Sequence, residues 1–459
     1  MFTKFLLGNT EESQAWLAFT DLRAEVVGLP SFFVDNDGSI YISFSYLGVS
    51  YLAKLRFNGI VEWARLINPA GSSGSCLLSV TGDSNGNIYA CGGNVTGSGS
   101  KGFLVKVNSA DGSTIWAREF DKGNGNPCVF GSVFIKSNGG IAAFEVRATG
   151  FNVSTSSVEN AYVVYTASGT VSQAGVFTTF NTSSLVPDGV EAKNVNGTPL
   201  ALAITGYNGK NAAYLYPLES FSPFPSGNSF SFVYQNSLCT PLSFDFVPAP
   251  SNAVPQICYL IGRDTAFPGL SENFIAKVSP NAANTGASLY WLKRFNNTSG
   301  SDFSVNSVAA DSSGNAYCTG IISNTAILLI KIDTNGNVVW KNSIDIVSGN
   351  PSSSVNSFNT IVGLKVSGDY LIVSFSAVYQ FVLKVPTDGS LRGTYTNLAG
   401  YTFEYGNTTL ESFVTLVNET TNVYTSIPTT NSFSFSTQNS LSAAGGLIQN
   451  NAPRRGTIG

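Results

Sequence analysis

The chain has 459 residues, a formal net charge of −4, only 11% charged side chains and no histidine. So few cations, with no Lys/Arg cluster, argue against binding nucleic acid through its phosphates. The missing imidazole removes Ser–His–Asp triads, Cys–His pairs, H-E-x-x-H zinc sites and any His general base.

The N-terminus, Met1-Phe2-Thr3-Lys4-Phe5-Leu6-Leu7-Gly8, has too few apolar residues for the core of a secretory signal. No apolar run approaches membrane-spanning length. The expectation is a protein made without export or membrane insertion, in the cytoplasm or in a virion. The first predicted strand is Trp16-Leu17-Ala18-Phe19. It reads like Trp63-Ala64-Arg65-Leu66, Trp291-Leu292-Lys293-Arg294-Phe295 and Trp340-Lys341-Asn342-Ser343, which close complete units later on. Here it stands without the strands that should precede it.

From Val34 onward a phrase recurs about every fifty residues: an Asp/Asn/Gly turn, a strand opening with Tyr, a strand ending near Lys, another Gly turn and often a Trp. Asp35-Asn36-Asp37-Gly38-Ser39-Ile40-Tyr41, Asp83-Ser84-Asn85-Gly86-Asn87-Ile88-Tyr89 and Asp311-Ser312-Ser313-Gly314-Asn315-Ala316-Tyr317 are its clearest copies. Lys54, Lys106, Lys277, Lys331 and Lys384 mark the same strand in five units, with Tyr165 and Tyr216 standing for Lys in two degenerate ones. Asn-Gly and Asp-Gly pairs such as Asn58-Gly59 and Asp111-Gly112 supply the positive φ that tight hairpins need. Residues 217–250, rich in Phe and Pro, interrupt the pattern. Phe221, Phe224, Phe230 and Phe232 are its candidate partner-binding residues, because large exposed apolar patches mark interfaces.

Laying Asn422-Val423-Tyr424 on Asn315-Ala316-Tyr317 gives an eighth unit that ends before its fourth strand. A first strand at Trp16 would complete it and remove a free edge. The expected fold is therefore all-β, an eight-bladed propeller over 1–437 closed by the N-terminal strand, with a flexible tail over 438–459. Seven blades plus a C-terminal appendage is the alternative, if residues 401–437 pack outside the ring. A repeat of this kind lets one domain absorb a length that would otherwise suggest two or three.

The D-x-x-G-N-x-Y…K-[VI]-[DN]-x-x-G-x-x-x-W phrase resembles short bacterial β-propeller repeats and, more loosely, quinoprotein-like propeller repeats. The resemblance spans roughly residues 16–437 and implies a fold, not an activity. Ser109-Ala110-Asp111-Gly112-Ser113-Thr114-Ile115-Trp116 resembles the Asp-box of sialidases, with its Gly one place early. That box is a structural turn.

No catalytic, metal or cofactor-binding residues are expected. Paired carboxylates in a channel would make a glycosidase, yet the Asp residues sit where turns need them. The Asp/Asn turns lack the distant Glu of a helical calcium loop. A pyrroloquinoline quinone enzyme would want a vicinal Cys pair; the six cysteines are scattered and read as small buried thiols. The Trp residues are expected to wedge adjacent blades, and the ruler Lys residues to be solvated or neutralised by turn carboxylates. The composition, low in charge and rich in Ser, Thr, Asn and Gly, resembles that of bacteriophage tail proteins. The functional expectation is a non-enzymatic platform for protein contacts, its partners being other virion proteins. A surface carbohydrate-binding protein with a glycan partner, or a carboxylate glycosidase, is the alternative.

Overall fold

The computed structural model describes residues 2–6, 15–23, 31–46, 49–68, 74–94, 101–121, 128–136, 138–145, 159–178, 190–195, 198–207, 210–217, 230–233, 239–248, 257–264, 272–280, 287–297, 303–322, 326–348, 360–376, 379–398, 401–406, 411, 414–418, 434–436 and 443–444. These residues form seven antiparallel sheets of four to six strands. The first sheet holds Phe32–Val34, Ile40–Tyr46, Val49–Leu55 and Val61–Ile67. The second holds Ser75–Gly82, Asn87–Asn94, Gly102–Asn108 and Thr114–Phe120. The third is Phe130–Ile135, Ile141–Glu145, Glu159–Tyr165 and Val171–Thr178. The fourth is Val190–Val195, Thr198–Tyr207, Lys210–Pro217 and Phe230–Val233.

The fifth sheet comprises Cys239–Phe246, Cys258–Asp264, Glu272–Pro280 and Ala287–Asn297. Phe303–Ala310, Ala316–Ile322, Ala326–Ile332 and Val338–Ser348 make the sixth. The seventh takes Thr360–Ser367, Tyr370–Ser376 and Tyr379–Pro386 from its own stretch and its fourth strand, Trp16–Arg23, from the N-terminus.

The opening strand of each sheet packs on the opening strand of the next, and Thr360–Ser367 of the seventh returns to Phe32–Val34 of the first. The core lies in the spaces between sheets. Tyr259, Ile275, Val305 and Leu328 fill the space between the fifth and sixth. Trp16, Ile40, Ala53 and Val382 fill that between the seventh and first. Strands covered on both faces lose apolar/polar alternation, so all seven residues of Ala316–Ile322 are buried. The architecture is all-β and propeller-like.

Three expectations need correction. Trp16–Arg23 pairs with Tyr379–Pro386, with Trp16 opposite Lys384, rather than with a sheet built on Tyr424, which lies outside the described residues. No eighth sheet occurs among the described residues. Gly393–Leu398 and Tyr401–Tyr405 instead extend the sixth sheet, and Val414–Asn418 the fifth. The physical reason is that these strands have strand-like sequence but no complete set of neighbours of their own. The open edges of finished sheets offer the N–H and C=O partners they need. Finally, Val164 rather than Tyr165 takes the Lys position of the third sheet: it stands two residues before the turn that starts at Thr166, as Lys54 does before Arg56.

Candidate functional site

The repeated residues meet at the joints between sheets. Across three neighbouring strands of one sheet, Tyr89 stands opposite Lys106 and Lys106 opposite Trp116. Tyr41–Lys54–Trp63, Tyr259–Lys277–Trp291 and Tyr317–Lys331–Trp340 repeat the trio. In each sheet the Tyr and Trp rings touch, with centroids 5.8–6.2 Å apart. The register slips by one residue just before or at the Trp, passing over Glu62, Ile115, Tyr290 and Val339. A β-bulge of this kind re-aims the strand. The bulged Ile115, Tyr290 and Val339 face solvent, about half exposed, while Trp63 and Trp116 turn inward to 4% and 8%.

Each indole then reaches the outer hairpin of the next sheet. Trp16 Nε1 donates to the Phe57 carbonyl at 2.9 Å, Trp63 to Ser109 at 2.9 Å and Trp116 to Ala167 at 3.0 Å. Trp291 donates to Thr334 at 3.1 Å and Trp340 to Thr387 at 3.0 Å. The Lys of the trio often shares the acceptor: Lys106 Nζ reaches Ala167 O at 3.3 Å, Lys277 reaches Thr334 O at 2.8 Å and Lys384 reaches Phe57 O at 3.4 Å. The turn glycine lies flat under the indole. A Cβ on Gly59 would sit 2.8 Å from the Trp16 ring, and one on Gly169 2.8 Å from the Trp116 ring. Glycine is required there twice over, for contact and for a φ near +80°.

Solvation, the first half of the expectation, does not hold for Lys106, Lys277 and Lys384; for the second half, neutralisation by a turn carboxylate, Asp333 acts on Lys277. Lys106, Lys277 and Lys384 are buried, and their charge is met by carbonyls and aromatic faces. Lys106 Nζ lies 5.5 Å from the Tyr89 centroid, and Lys384 Nζ 4.1 Å from that of Tyr370. Lys54 differs, pairing with Glu62 at 2.7 Å. Burial lowers the pKa of Lys277, partly offset by the charge of Asp333.

In the second and sixth sheets the Asp of the phrase ties the first turn, whereas in the first sheet Asp37 does so by accepting from Ser39. Asp83 Oδ1 accepts the N–H groups of Asn85 and Asn87, while Oδ2 accepts the Asn87 amide at 2.8 Å and the Tyr89 hydroxyl at 3.0 Å. Asp311 repeats this with Ser313, Asn315 and Tyr317. Burial opposes ionisation of Asp83, but these donors outweigh it and hold the carboxyl below its usual range. Burial and the Asp83 carboxylate together push the Tyr89 hydroxyl up.

Both oxygens of Asp83 face N–H and O–H donors, which a cation would have to displace. Among the described residues no group of three or more Cys, Asp or Glu is placed to hold a metal. Asp111, in the Asp-box-like segment, accepts from the Ser113 N–H and hydroxyl and so closes a turn. Cys76, Cys91, Cys128, Cys258 and Cys318 are buried. Of the candidate partner-binding residues, Phe221 and Phe224 lie outside the described residues; Phe230 and Phe232 fall on the last strand of the fourth sheet. What sequence reasoning missed is the Tyr–Lys–Trp trio itself. Its signal was present, since Tyr, Lys and Trp recur at one place in each of three successive strands.

Strand alternation puts the first and third turns of every sheet on one face and the remaining connections on the other. The turn face carries short Gly hairpins in the first, second, third, sixth and seventh sheets, but longer connections over 218–229 in the fourth and 247–257 in the fifth. The opposite face carries connections that differ in length, from residues 47–48 in the first sheet to 146–158 in the third.

No protein-family model and no curated protein sequence matches this chain. Similar solved structures include the polysaccharide lyase Uly1, 8% identical, covering 78% of this chain and 90% of that one, TM-score 0.42. A glucose dehydrogenase is 11% identical and covers 84% and 99%, TM-score 0.35. The NanB sialidase of Streptococcus pneumoniae is 10% identical and covers 80% and 69%, TM-score 0.39. None is similar enough to lend this chain an activity.

Proposed function

We propose that the seven sheets are the blades of one closed propeller, locked by the N-terminal strand, and that this wheel is a non-enzymatic platform for protein contacts. The observation that carries the reading is the use made of the repeat. Its Asp, Tyr, Lys and Trp side chains are consumed in turns and in joints between blades. The connections that vary most often from blade to blade lie on one face, although 218–229 and 247–257 on the other are also long, and loops on a rigid frame are where recognition concentrates. The composition that resembles phage tail proteins supports a virion as the assembly, with other virion proteins as partners.

Cross-linking mass spectrometry on the native assembly tests this. Lys101 and Lys210 border second-to-third-strand connections on the variable face, and Lys136 borders a turn on the other. Partner cross-links through Lys101 and Lys210 support the proposal. Partner cross-links confined to Lys136 overturn the choice of face. Specific hits on a glycan array, or turnover abolished by one Asp→Asn change, overturn the reading in favour of a carbohydrate-binding protein or a glycosidase.

A further inference from the structure

Among the described residues four Asn-Gly pairs sit in turns of one kind: Asn58-Gly59, Asn85-Gly86, Asn138-Gly139 and Asn335-Gly336. In each the Gly has a φ between 73° and 83°, and its N–H donates to the carbonyl three residues back. Asn followed by Gly carries a latent chemistry, because no Cβ shields the Gly nitrogen. That nitrogen can attack the Asn Cγ. An N–C bond forms, ammonia leaves with the former Gly N–H proton, and water opens the resulting succinimide to aspartate or isoaspartate. Ring closure asks two things of the fold. The Asn carboxamide must be free to turn onto the nitrogen, and the Gly must have open space around it.

Three of the turns fail one condition or both. Asn58 Oδ1 accepts the Ile60 N–H at 3.1 Å, and Gly59 lies buried under the Trp16 ring. Gly139 is open, but Asn138 Oδ1 accepts the Gly140 N–H at 3.0 Å. The Asn335 carboxamide bonds to no described residue, yet Gly336 is buried, with its Cβ position 2.7 Å from Lys293 and 3.1 Å from the Trp291 ring. Asn85 meets both. Its side chain is exposed and its carboxamide bonds to no described residue. Beyond the chain neighbours, a Cβ on Gly86 would meet only the Ser109 hydroxyl, at 3.0 Å. The Gly86 N–H is also the most loosely held, 3.3 Å from the Asp83 carbonyl against 2.7, 2.9 and 3.0 Å at Gly59, Gly139 and Gly336.

We propose that Asn85 is a site of covalent modification in the native protein, losing its amide spontaneously to water and becoming aspartate or isoaspartate. The product adds a negative charge close to Asp83, and isoaspartate also inserts a CH₂ into the backbone. Both act on a tied turn, since Asp83 Oδ1 accepts the N–H groups of Asn85 and Asn87 at 2.9 Å. The effect reaches a joint between sheets. The Gly86 carbonyl accepts the Ser109 N–H at 3.0 Å, and the Ser109 carbonyl accepts Trp63 Nε1 from the first sheet.

Peptide mapping by mass spectrometry follows the amide-to-acid change at the four Asn residues while the full chain is held at pH 8, native and in urea. In the native protein Asn85 is expected to react about tenfold faster than each of the other three, the rate factor that one hydrogen bond makes. In urea the four rates should converge, because held carboxamides and covered glycines are then released. Methylation by an isoaspartyl methyltransferase should label the peptide carrying residue 85, and Asn85→Ser should lose that label. Native rates that are equal, or fastest at Asn58, Asn138 or Asn335, overturn the proposal. So does a preference for Asn85 that persists undiminished in urea, which would place its cause in the local sequence rather than in the fold.

Discussion

Trp16 donates its indole N–H to the carbonyl of Phe57 at 2.9 Å, joining the first strand of the wheel to a hairpin of the first sheet. Lys384, opposite Trp16 in the seventh sheet, reaches the same oxygen at 3.4 Å. The contact between the seventh and first sheets is thus built like those between other neighbouring sheets.

Replacing Trp16 tests that equivalence. Trp16→Ala removes a side chain that is 1% exposed and is expected to cost about 3–5 kcal/mol. Trp16→Phe keeps much of the packing, and Lys384 still serves the Phe57 carbonyl, so about 1–2 kcal/mol is expected. Urea denaturation at pH 7 measures both. Equal costs for the two variants would mean that ring volume contributes nothing at the joint.

Two glycines separate backbone strain from contact. Gly139 and Gly169 have φ of 78° and 81°, but a Cβ meets nothing within 4 Å at Gly139 and the Trp116 ring at 2.8 Å at Gly169. Gly139→Ala should cost about 1–2 kcal/mol from the left-handed conformation alone. Gly169→Ala should cost a further ~1–3 kcal/mol from overpacking. The difference in urea midpoint between the two variants isolates the contact with the indole.

Acid should weaken the turns. Partial burial opposes ionisation of Asp83 and Asp333, yet hydrogen bonds from neighbouring backbone and side-chain donors outweigh it and hold both carboxyls below their ordinary range. A depressed folded-state pKa contributes stability that is present above the unfolded value and lost as pH falls through the folded one. The urea midpoint should hold from pH 7 to about 5 and decline below about 4. Asp83→Asn should reduce the size of that decline.

Cys91 should be unreactive while the protein is folded. Its thiol is fully buried, and burial pushes its pKa well above the ordinary value, while burial lifts that of Cys76 to about 12. Iodoacetamide at pH 8 should leave both unmodified in the native state and alkylate both in urea. Alkylation of native Cys91 at the rate of a free thiol would place it at an opening between sheets.

Glu411 anchors the segment that leaves the ring. Its Oε1 accepts from Arg392 Nη1 at 2.6 Å and from the Ser343 N–H at 3.0 Å. Glu411→Gln should leave the urea transition nearly unchanged and raise the rate of limited proteolysis between residues 393 and 418 several-fold, as local opening becomes easier. A lower urea midpoint with no new cleavage would show that Glu411 supports the ring rather than the segment.

Much of the wheel was legible because its turns have local causes. Asp311-Ser312-Ser313-Gly314-Asn315 forms a turn through its own side chain and Gly φ, so the phrase reads without tertiary knowledge. The register of the Tyr, Lys and Trp strands followed from the same repeat. The destination of residues 401–436 was not legible. An outer fifth strand has the same local sequence signature as a strand in a new sheet, and only the availability of an open edge decides between them. The fate of Lys106 was hidden for a related reason: its acceptor, the carbonyl of Ala167, carries no side-chain signal. The partner-binding expectation for Phe230 and Phe232 has only their place on a strand to stand on.

The joints are unevenly distributed. Gln173, opposite Val164, stands in the third sheet where the others set Trp against Lys, and the fourth sheet has no Trp at all. The indole joint therefore occurs between five pairs of neighbouring sheets, and the fourth sheet meets the third and the fifth without it. Heat or pulling force should fracture the protein there first, with the Val190–Val233 region exchanging its amides before the rest. A molecule with such a built-in weak sector can yield locally under strain while the arc from Trp291 round to Ala117 stays whole.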